Sequence, residues 1–151
     1  MIRGLTFTIS QEIKYPLSNI LSGVNTEEYS WFCVPNQEEI WNSKRDAPFF
    51  DKTDYTGKEF SNLLKLDCYI IFLKLQAYHS KNKYCNIHSY EEFLISDCQL
   101  LLLIYDCESV EIYCKNEDTS KTLYNNAINQ KFSDVMYITD SNDIRYKFDI
   151  L

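Results

Sequence analysis

Glycine is scarce in this sequence: a chain of 151 residues has three, set far apart at Gly4, Gly23 and Gly57. A phosphate-binding loop needs neighbouring glycines, because only a backbone without side chains lets the amide groups approach the anion closely. The sequence therefore contains neither a P-loop nor a dinucleotide-binding fingerprint. It also lacks the G-x-S-x-G motif that positions the nucleophilic serine of α/β-hydrolases. These absences exclude the commonest glycine-dependent nucleotide-binding and hydrolase sites.

Long apolar runs are also missing. No uninterrupted apolar segment reaches about 18 residues, the length that a membrane-spanning helix needs. The residues from Met1 to Phe7 alternate like a strand and lack the apolar core of a signal peptide. We therefore expect a cytoplasmic protein without a membrane span.

The six cysteines include no C-x-x-C pair, the spacing that metal-binding and redox-active thiols often use. Most of them lie within predicted strands. In a cytoplasmic protein such cysteines are normally reduced and act as small buried apolar side chains. Counting alone leaves a disulfide framework open, although a chain of this length and apolar content does not need one.

Basic residues are nearly absent between Tyr84 and Asp118. This segment contains eight acidic residues and one base, Lys115, so its formal charge is −7, equal to the net charge of the whole chain. A field of this sign repels nucleic acid and anionic membranes and favours a basic partner. The alternative is that the charge only maintains solubility, since many soluble domains carry a net charge of this size.

The segment from Ser96 to Lys115 has the pattern of a β-hairpin, and the rest of the chain is organised around it. An apolar run that includes Leu100 to Ile104 is followed by a polar break and a second, alternating strand. The first strand does not alternate, which predicts that it is buried on both faces of the sheet. We expect Leu101 and Leu103 to be fully enclosed.

The position of the hairpin turn determines which side chains share a face. We place the reversal from Asp106 to Ser109, so that Tyr105 faces Val110 and Leu103 faces Ile112. Because side chains alternate along a strand, this register predicts the side of the sheet on which every residue of the hairpin lies.

The remaining pattern predicts a single α+β domain over residues 1–151. Sequences typical of capping boxes at Thr56 to Glu59 and at Ser89 to Glu92 mark the starts of two helices. Cys68 to Tyr78 is rich in β-forming residues and is expected to be a second central strand. Hairpins outnumber crossovers, which favours a mixed, mostly antiparallel sheet with about four helices packed against one face.

Three further assignments concern the ends of elements. The Trp31 strand stops at Pro35, and Glu38 to Trp41 is interpreted as its hairpin partner. Asp118 or Thr119 is expected to cap the next long helix. The alternation of apolar residues from Ile144 to Ile150 predicts a last strand.

His79, Cys85 and His88 are the only soft metal ligands that lie close together in the sequence. A tetrahedral zinc site needs a fourth ligand, and no second pair with the usual spacing is present, so we favour two surface histidines beside a cysteine. Cys107 lies at the hairpin turn, but the acidic residues on either side of it disfavour a reactive thiolate. The oxygen-rich segment from Thr139 to Asp143 lacks the pattern of an EF-hand and is interpreted as a turn.

Short motifs in the second half of the chain resemble those of a bacterial protein family. They are Ser96-Asp97-Cys98, Asp106-Cys107, Ile112-Tyr113-Cys114-Lys115, and Tyr137-Ile138-Thr139-Asp140 followed by Asn142-Asp143 and Arg145. The N-terminal Arg3 to Phe7 and the Trp31 strand fit more loosely, and the resemblance covers the whole chain. The family consists of small acidic proteins from Gram-positive, spore-forming bacteria and is classed as a domain of unknown function. The resemblance implies a cytoplasmic bacterial protein and brings no activity or catalytic residue with it.

Two classes of function remain open. The first is a small acidic binding module, similar in charge and size to the immunity proteins that neutralise basic toxins, with a basic protein as its partner. Its candidate interaction surface consists of acidic side chains: Asp97, Asp106, Glu108, Glu111, Glu117 and Asp118. The second is an enzyme with a carboxylate- or metal-dependent site near Asp97, His79, Cys85 and His88. We favour the first, and we expect no catalytic residues, metal, cofactor, nucleic acid or membrane.

Overall fold

Seven strands and four α-helices make up the fold in the computed structural model, which describes residues 1–151. The strands are β1 (Ile2–Thr8), β2 (Ser30–Asn42), β3 (Asp54–Tyr55), β4 (Cys68–Tyr78), β5 (Cys98–Tyr105), β6 (Ser109–Cys114) and β7 (Ser133–Thr139). The α-helices are α1 (Pro16–Ile20), α2 (Gly57–Leu63), α3 (Tyr90–Ile95) and α4 (Glu117–Asn129). The predicted α+β class is confirmed.

The strands form one sheet in the order β3-β2-β4-β5-β6-β1-β7, so β5 lies at its centre. All of the pairings are antiparallel, and the sheet is therefore not mixed. The long apolar run from Cys68 to Tyr78 forms β4, next to β5, as the sequence predicts. None of the helices is long and apolar enough to cross a membrane.

The two faces of the sheet carry separate apolar clusters. The first face, which bears Leu100, Leu102 and Ile104 of β5, packs against α1, α2 and α4 in a cluster of 26 buried residues. The second face, which bears Leu101 and Leu103, carries a smaller cluster of nine. The helices are thus not all on one face, because α3 contributes its buried aromatic side chain to the second cluster.

The hairpin forms where it was predicted, but its register differs by one residue. Tyr105 pairs with Ser109, and Leu103 pairs with Glu111 instead of Ile112. The turn contains only three residues, and its first two, Asp106 and Cys107, have φ angles of 52° and 66°. Left-handed backbone of this kind tightens the reversal, and aspartate tolerates it better than most residues do. The shift exchanges the faces of all β6 side chains relative to β5.

The segment from Glu38 to Trp41 does not turn back to form a hairpin. It continues β2, and both parts of this strand pair with β4. The register passes from the Cys33–Leu75 pair to the Glu38–Leu73 pair, so the extra residues around Pro35 form a bulge. A bulge absorbs additional residues and bends a strand without reversing it.

Two of the predicted helix starts also differ in detail. Asn116, and neither Asp118 nor Thr119, is the N-cap of α4, and its side chain accepts a hydrogen bond from the Asp118 amide. The capping box at Thr56 is complete. The one at Ser89 is half formed, because the Glu92 carboxylate accepts from the amide of His88 instead of Ser89.

The predicted last strand is absent. Residues 140–151, which we call the tail, contain no strand and cross the second face of the sheet. Ile144 and Tyr146 are 90% and 93% exposed, whereas Phe148 is fully buried. The apolar alternation therefore does not correspond to a face of the sheet: Phe148 alone is fully buried, and Ile150 is partly buried against the second cluster.

We expect Leu103→Ala to lower the free energy of unfolding by about 2–5 kcal/mol, because it opens a cavity in a fully packed site. Both Leu101 and Leu103 are fully buried, as the sequence predicts. Urea unfolding of the variant measures the effect. Leu94→Ala on α3, where the side chain is half exposed, is the control and should change little. An unfolding midpoint for Leu103→Ala equal to that of the control would contradict the central position of β5.

Candidate binding cleft on the second face

Five of the six acidic residues of the candidate interaction surface lie at the two ends of the hairpin. Asp106 and Glu108 are in the turn, whereas Asp97, Glu117 and Asp118 lie beyond the opposite ends of β5 and β6. Glu111 is on the second face, opposite Leu103, and α4 packs against the first face. The structure therefore does not bring all six carboxylates together on one surface.

Most of these carboxylates already have partners within the chain. Glu111 pairs with Arg145 at 2.7 Å, and Asp97 lies 3.8 Å from the Lys83 ammonium. Glu108 accepts a hydrogen bond from the Gln11 side chain, and Glu117 accepts one from the amide of Ile2. The side chains of Asp106 and Asp118 have no hydrogen-bond or ion-pair partner. Of these two, only Asp106 lies on the same side of the molecule as the tail.

Two charged residues of one row across the second face form ion pairs with the tail. Lys74 of β4, Leu103 of β5 and Glu111 of β6 are register neighbours. Asp149 of the tail pairs with Lys74 at 3.4 Å, and Arg145 pairs with Glu111. Two strand spacings are about 10 Å, and four residues of extended chain reach about 13 Å. The segment from Arg145 to Asp149 can therefore cross three strands, and it lies across the sheet instead of pairing with it as a strand.

Lys74 is fully buried, which is rare for a lysine. Its ammonium group donates to Asn86 Oδ1 at 2.5 Å and to the carbonyl oxygen of Ile87, in addition to its ion pair with Asp149. Burial lowers the pKa of Lys74, and the nearby charge of Asp149 opposes this shift. Because no part of the side chain is exposed, Lys74 cannot contact a substrate, and we assign it a structural role.

Two more polar side chains on the same face of β4 hold the segment from Cys85 to His88. The Gln76 amide accepts from the amide of Ile87 at 3.1 Å and donates to the carbonyl oxygen of Cys85 at 2.6 Å. The Tyr78 hydroxyl donates to the same carbonyl oxygen at 2.9 Å. Alternate residues of β4 thus replace the backbone partners that this segment lacks, since buried polar groups need hydrogen bonds.

Asp149 connects this segment to the tail. His88 Nδ1 donates to its carboxylate at 3.1 Å, and the amide of Phe148 donates to the carbonyl oxygen of His88 at 2.9 Å. Burial acts to raise the pKa of Asp149, but the hydrogen bond from His88 and the charge of Lys74 outweigh it, so that this pKa lies below its ordinary value.

A cleft of about 370 Å³ opens where the tail meets the hairpin turn. The sheet side of the cleft consists of Ile71, Phe72, Tyr105 and Asp106. The tail side consists of Arg145, Asp149, Ile150 and Leu151. Gln37 fixes the end of the tail, since its side-chain oxygen accepts from the amides of Ile150 and Leu151. The cleft combines an apolar and aromatic floor with one unpaired carboxylate, and this chemistry suits a cation on an aliphatic stem.

The residues considered for metal binding do not converge. His79 stacks on Tyr29 with ring centroids 5.6 Å apart, whereas His88 pairs with Asp149. No group of three or more histidine, cysteine, aspartate or glutamate side chains is placed to hold a metal ion. The site proposed for the enzymatic alternative therefore lacks the convergence that metal chemistry needs.

The oxygen-rich segment from Thr139 to Asp143 forms a turn that closes on the edge of β7. Asn142 accepts from the amide of Thr139 at 2.7 Å and donates to the carbonyl oxygen of Tyr137 at 3.0 Å. Asp143 is held by Arg3 at 3.1 Å and by the hydroxyl of Tyr113 at 3.1 Å. These contacts occupy its oxygen atoms and anchor the start of the tail.

Comparison with known proteins identifies the family. The profile of the family described as "Protein of unknown function (DUF2691)" matches residues 2–149. The chain belongs to this family. It is also 37% identical to the "Uncharacterized protein YncE" of Bacillus subtilis (strain 168) over 148 residues, which cover 96% of this chain and 97% of that protein. The Gram-positive origin of this relative agrees with the resemblance found in the sequence. No solved structure matches the chain.

The residues that build the cleft were only partly visible in the sequence. Asp106 was a candidate, whereas Lys74 and Asp149 were not. A charged residue in the middle of an apolar strand was the available signal for Lys74, because a buried lysine needs partners. Nothing in the sequence pattern indicates that its carboxylate partner lies 75 residues further along the chain.

We expect Asp149 to make the fold sensitive to acid. Its pKa is lower in the folded protein than the value of about 3.9 for an unfolded chain, so its contribution to stability is complete above that pH. This contribution is lost as the pH falls through the lower, folded pKa. Asp149→Asn should be less stable than the wild type at pH 7, and the difference should narrow as the pH falls from about 5 to about 3.

Urea unfolding at several pH values tests this expectation. Asp134→Asn is a suitable control, because Asp134 is exposed and has no ion pair. A difference in the free energy of unfolding between wild type and Asp149→Asn that stays constant down to pH 3 would show that the Asp149 charge does not hold the tail.

Proposed function

We propose that this protein is a cytoplasmic binding module that takes a basic segment of a partner protein in the cleft beside Asp106. The function is non-catalytic in this proposal: Asp106 pairs with a cationic side chain, and the floor of the cleft contacts its aliphatic stem. Phe72 and Tyr105 are half-buried and supply most of the aromatic surface of that floor.

The observation that carries the proposal is the state of Asp106. Its carboxylate is exposed and unpaired, in a protein that pairs most of its other candidate carboxylates internally. The φ angle of 52° favours asparagine, aspartate or glycine but does not need a negative charge. A charge that the fold does not require is available for a ligand.

The net charge of the chain also favours a basic partner. The chain carries a formal net charge of −7, and such a field increases the rate at which a basic partner arrives. Ion pairs within the chain neutralise part of this field near the base of the hairpin, where Asp97 faces Lys83. At the turn, Asp106 has no such partner.

The thiols support the cytoplasmic location. All six cysteines are free, and four of them are buried in the core. Two, Cys85 and Cys107, are at least partly exposed. Free thiols in this number are typical of proteins from reducing compartments.

No observation favours the enzymatic alternative over binding. Lys74 is enclosed, and His79, Cys85 and His88 do not form a metal-binding group. We therefore base the proposal on binding alone.

The test is a titration of the ¹⁵N-labelled protein with a blocked tetra-arginine peptide at low salt. We expect the amide signals of Phe72, Tyr105 and Asp106 to shift. Asp106→Asn should weaken binding about 2- to 5-fold, as the loss of an exposed ion pair usually does. Raising the salt concentration should weaken it further, because counter-ions screen the interaction.

Asp134→Asn is the matched control. Asp134 is exposed and has a φ angle of 55°, so both variants lose one charge at a position where asparagine fits the backbone. Equal affinities of the two variants, or shifts scattered over the whole surface, would contradict the proposal.

A further inference from the structure

The contacts of Arg145 show how this surface holds a guanidinium group, in a site that consists of Glu111 and Tyr105 and that we call the seat. Both Nε and Nη2 of Arg145 donate to Glu111 Oε2 at 2.7 Å. The guanidinium carbon lies 5.2 Å from the centroid of the Tyr105 ring. Tyr105 also forms part of the floor of the Asp106 cleft, so the seat and the cleft are continuous.

Other arginines of the chain are held in a related way. Arg3 lies 4.0 Å above the Tyr90 ring and donates to Asp140 at 2.8 Å. Arg45 lies 3.7 Å above the Tyr69 ring. A planar guanidinium group can stack on a ring and bind a carboxylate at the same time, whereas a lysine ammonium group cannot do so equally well.

We propose that the Glu111–Tyr105 seat is a second subsite of the cleft for an arginine of the partner, and that Arg145 occupies it as a resident self-ligand. This inference rests on the proposed function and specifies the partner: its basic segment carries arginine. An incoming arginine replaces Arg145 on Glu111, while a neighbouring basic residue pairs with Asp106.

The structure allows Arg145 to leave its seat while the tail stays in place. Asp143 anchors the tail on the N-terminal side of Arg145, and Phe148 anchors the tail on the C-terminal side. The residues directly beside Arg145, Ile144 and Tyr146, are almost fully exposed and pack against nothing that would hold them. The side chain of Arg145 is itself 21% exposed, so solvent and ligand can reach it.

The experiment compares Arg145→Gln with Lys147→Gln. Each variant loses one positive charge from the tail, two residues apart, but only Arg145 occupies the seat. Affinities for blocked tetra-arginine and tetra-lysine peptides are measured by calorimetry. We expect Arg145→Gln to bind tetra-arginine about 5-fold more tightly than Lys147→Gln does, with a smaller gain for tetra-lysine.

A second pair of variants identifies the seat itself. Adding Glu111→Gln to Arg145→Gln should remove the gain for tetra-arginine, because the vacated carboxylate is then absent. Arg145→Lys keeps the charge and serves if Arg145→Gln does not fold. It should show part of the gain, since an ammonium group does not reproduce the two-atom contact with Glu111.

The outcomes separate this inference from the proposed function. If tetra-arginine binding depends on Asp106 but Arg145→Gln binds no more tightly than Lys147→Gln, the proposal that Arg145 is a self-ligand is overturned. The proposed binding in the cleft beside Asp106 is then retained. If binding is the same in wild type, Asp106→Asn and Arg145→Gln, both proposals are overturned. A gain that Arg145→Gln shows and Lys147→Gln does not, and that is lost when Glu111→Gln is added, supports the seat.

Discussion

A lysine buried in the middle of β4 is the constraint on which the second face of the sheet depends. Removing a charge from water costs several kcal/mol, so Lys74 is tolerable only with partners on every side. Asn86, Ile87 and Asp149 are those partners, and they lie on two segments that form no strand. Lys74 therefore determines where both the segment before α3 and the tail must lie, and these segments cover Leu101 and Leu103.

The same arrangement explains why a cleft exists at the hairpin turn. The tail crosses from Glu111 to Lys74 and continues to Gln37, so it forms one wall while the sheet forms the other. The charged residues of the tail that line the cleft, Arg145 and Asp149, are already paired with residues of the sheet. Asp106 stands at the mouth of the cleft without a partner, and the proposed binding of a basic segment follows from that difference.

The sequence predicted the parts of the fold that depend on local pattern. The apolar runs of β4 and β5 and the capping box at Thr56 were visible in it, because each involves residues close together in the chain. The predicted register of the hairpin was wrong because Asp106 and Cys107 adopt left-handed backbone, which shortens the turn by one residue. The prediction of a last strand was wrong because the tail has the apolar alternation of a strand, whereas ion pairs to distant residues hold it across the sheet. Such long-range pairs cannot be deduced from one sequence.

Hydrogen exchange at the amide of Phe148 tests most directly whether Lys74 and Asp149 hold the tail against the sheet. This amide donates to the carbonyl oxygen of His88 at 2.9 Å, and no strand protects it. We predict slow exchange in the wild type, and in Lys74→Met a much faster exchange at Phe148 than at Leu101 in the central strand. Exchange of the Phe148 amide in the wild type as fast as in an unfolded peptide would contradict the account.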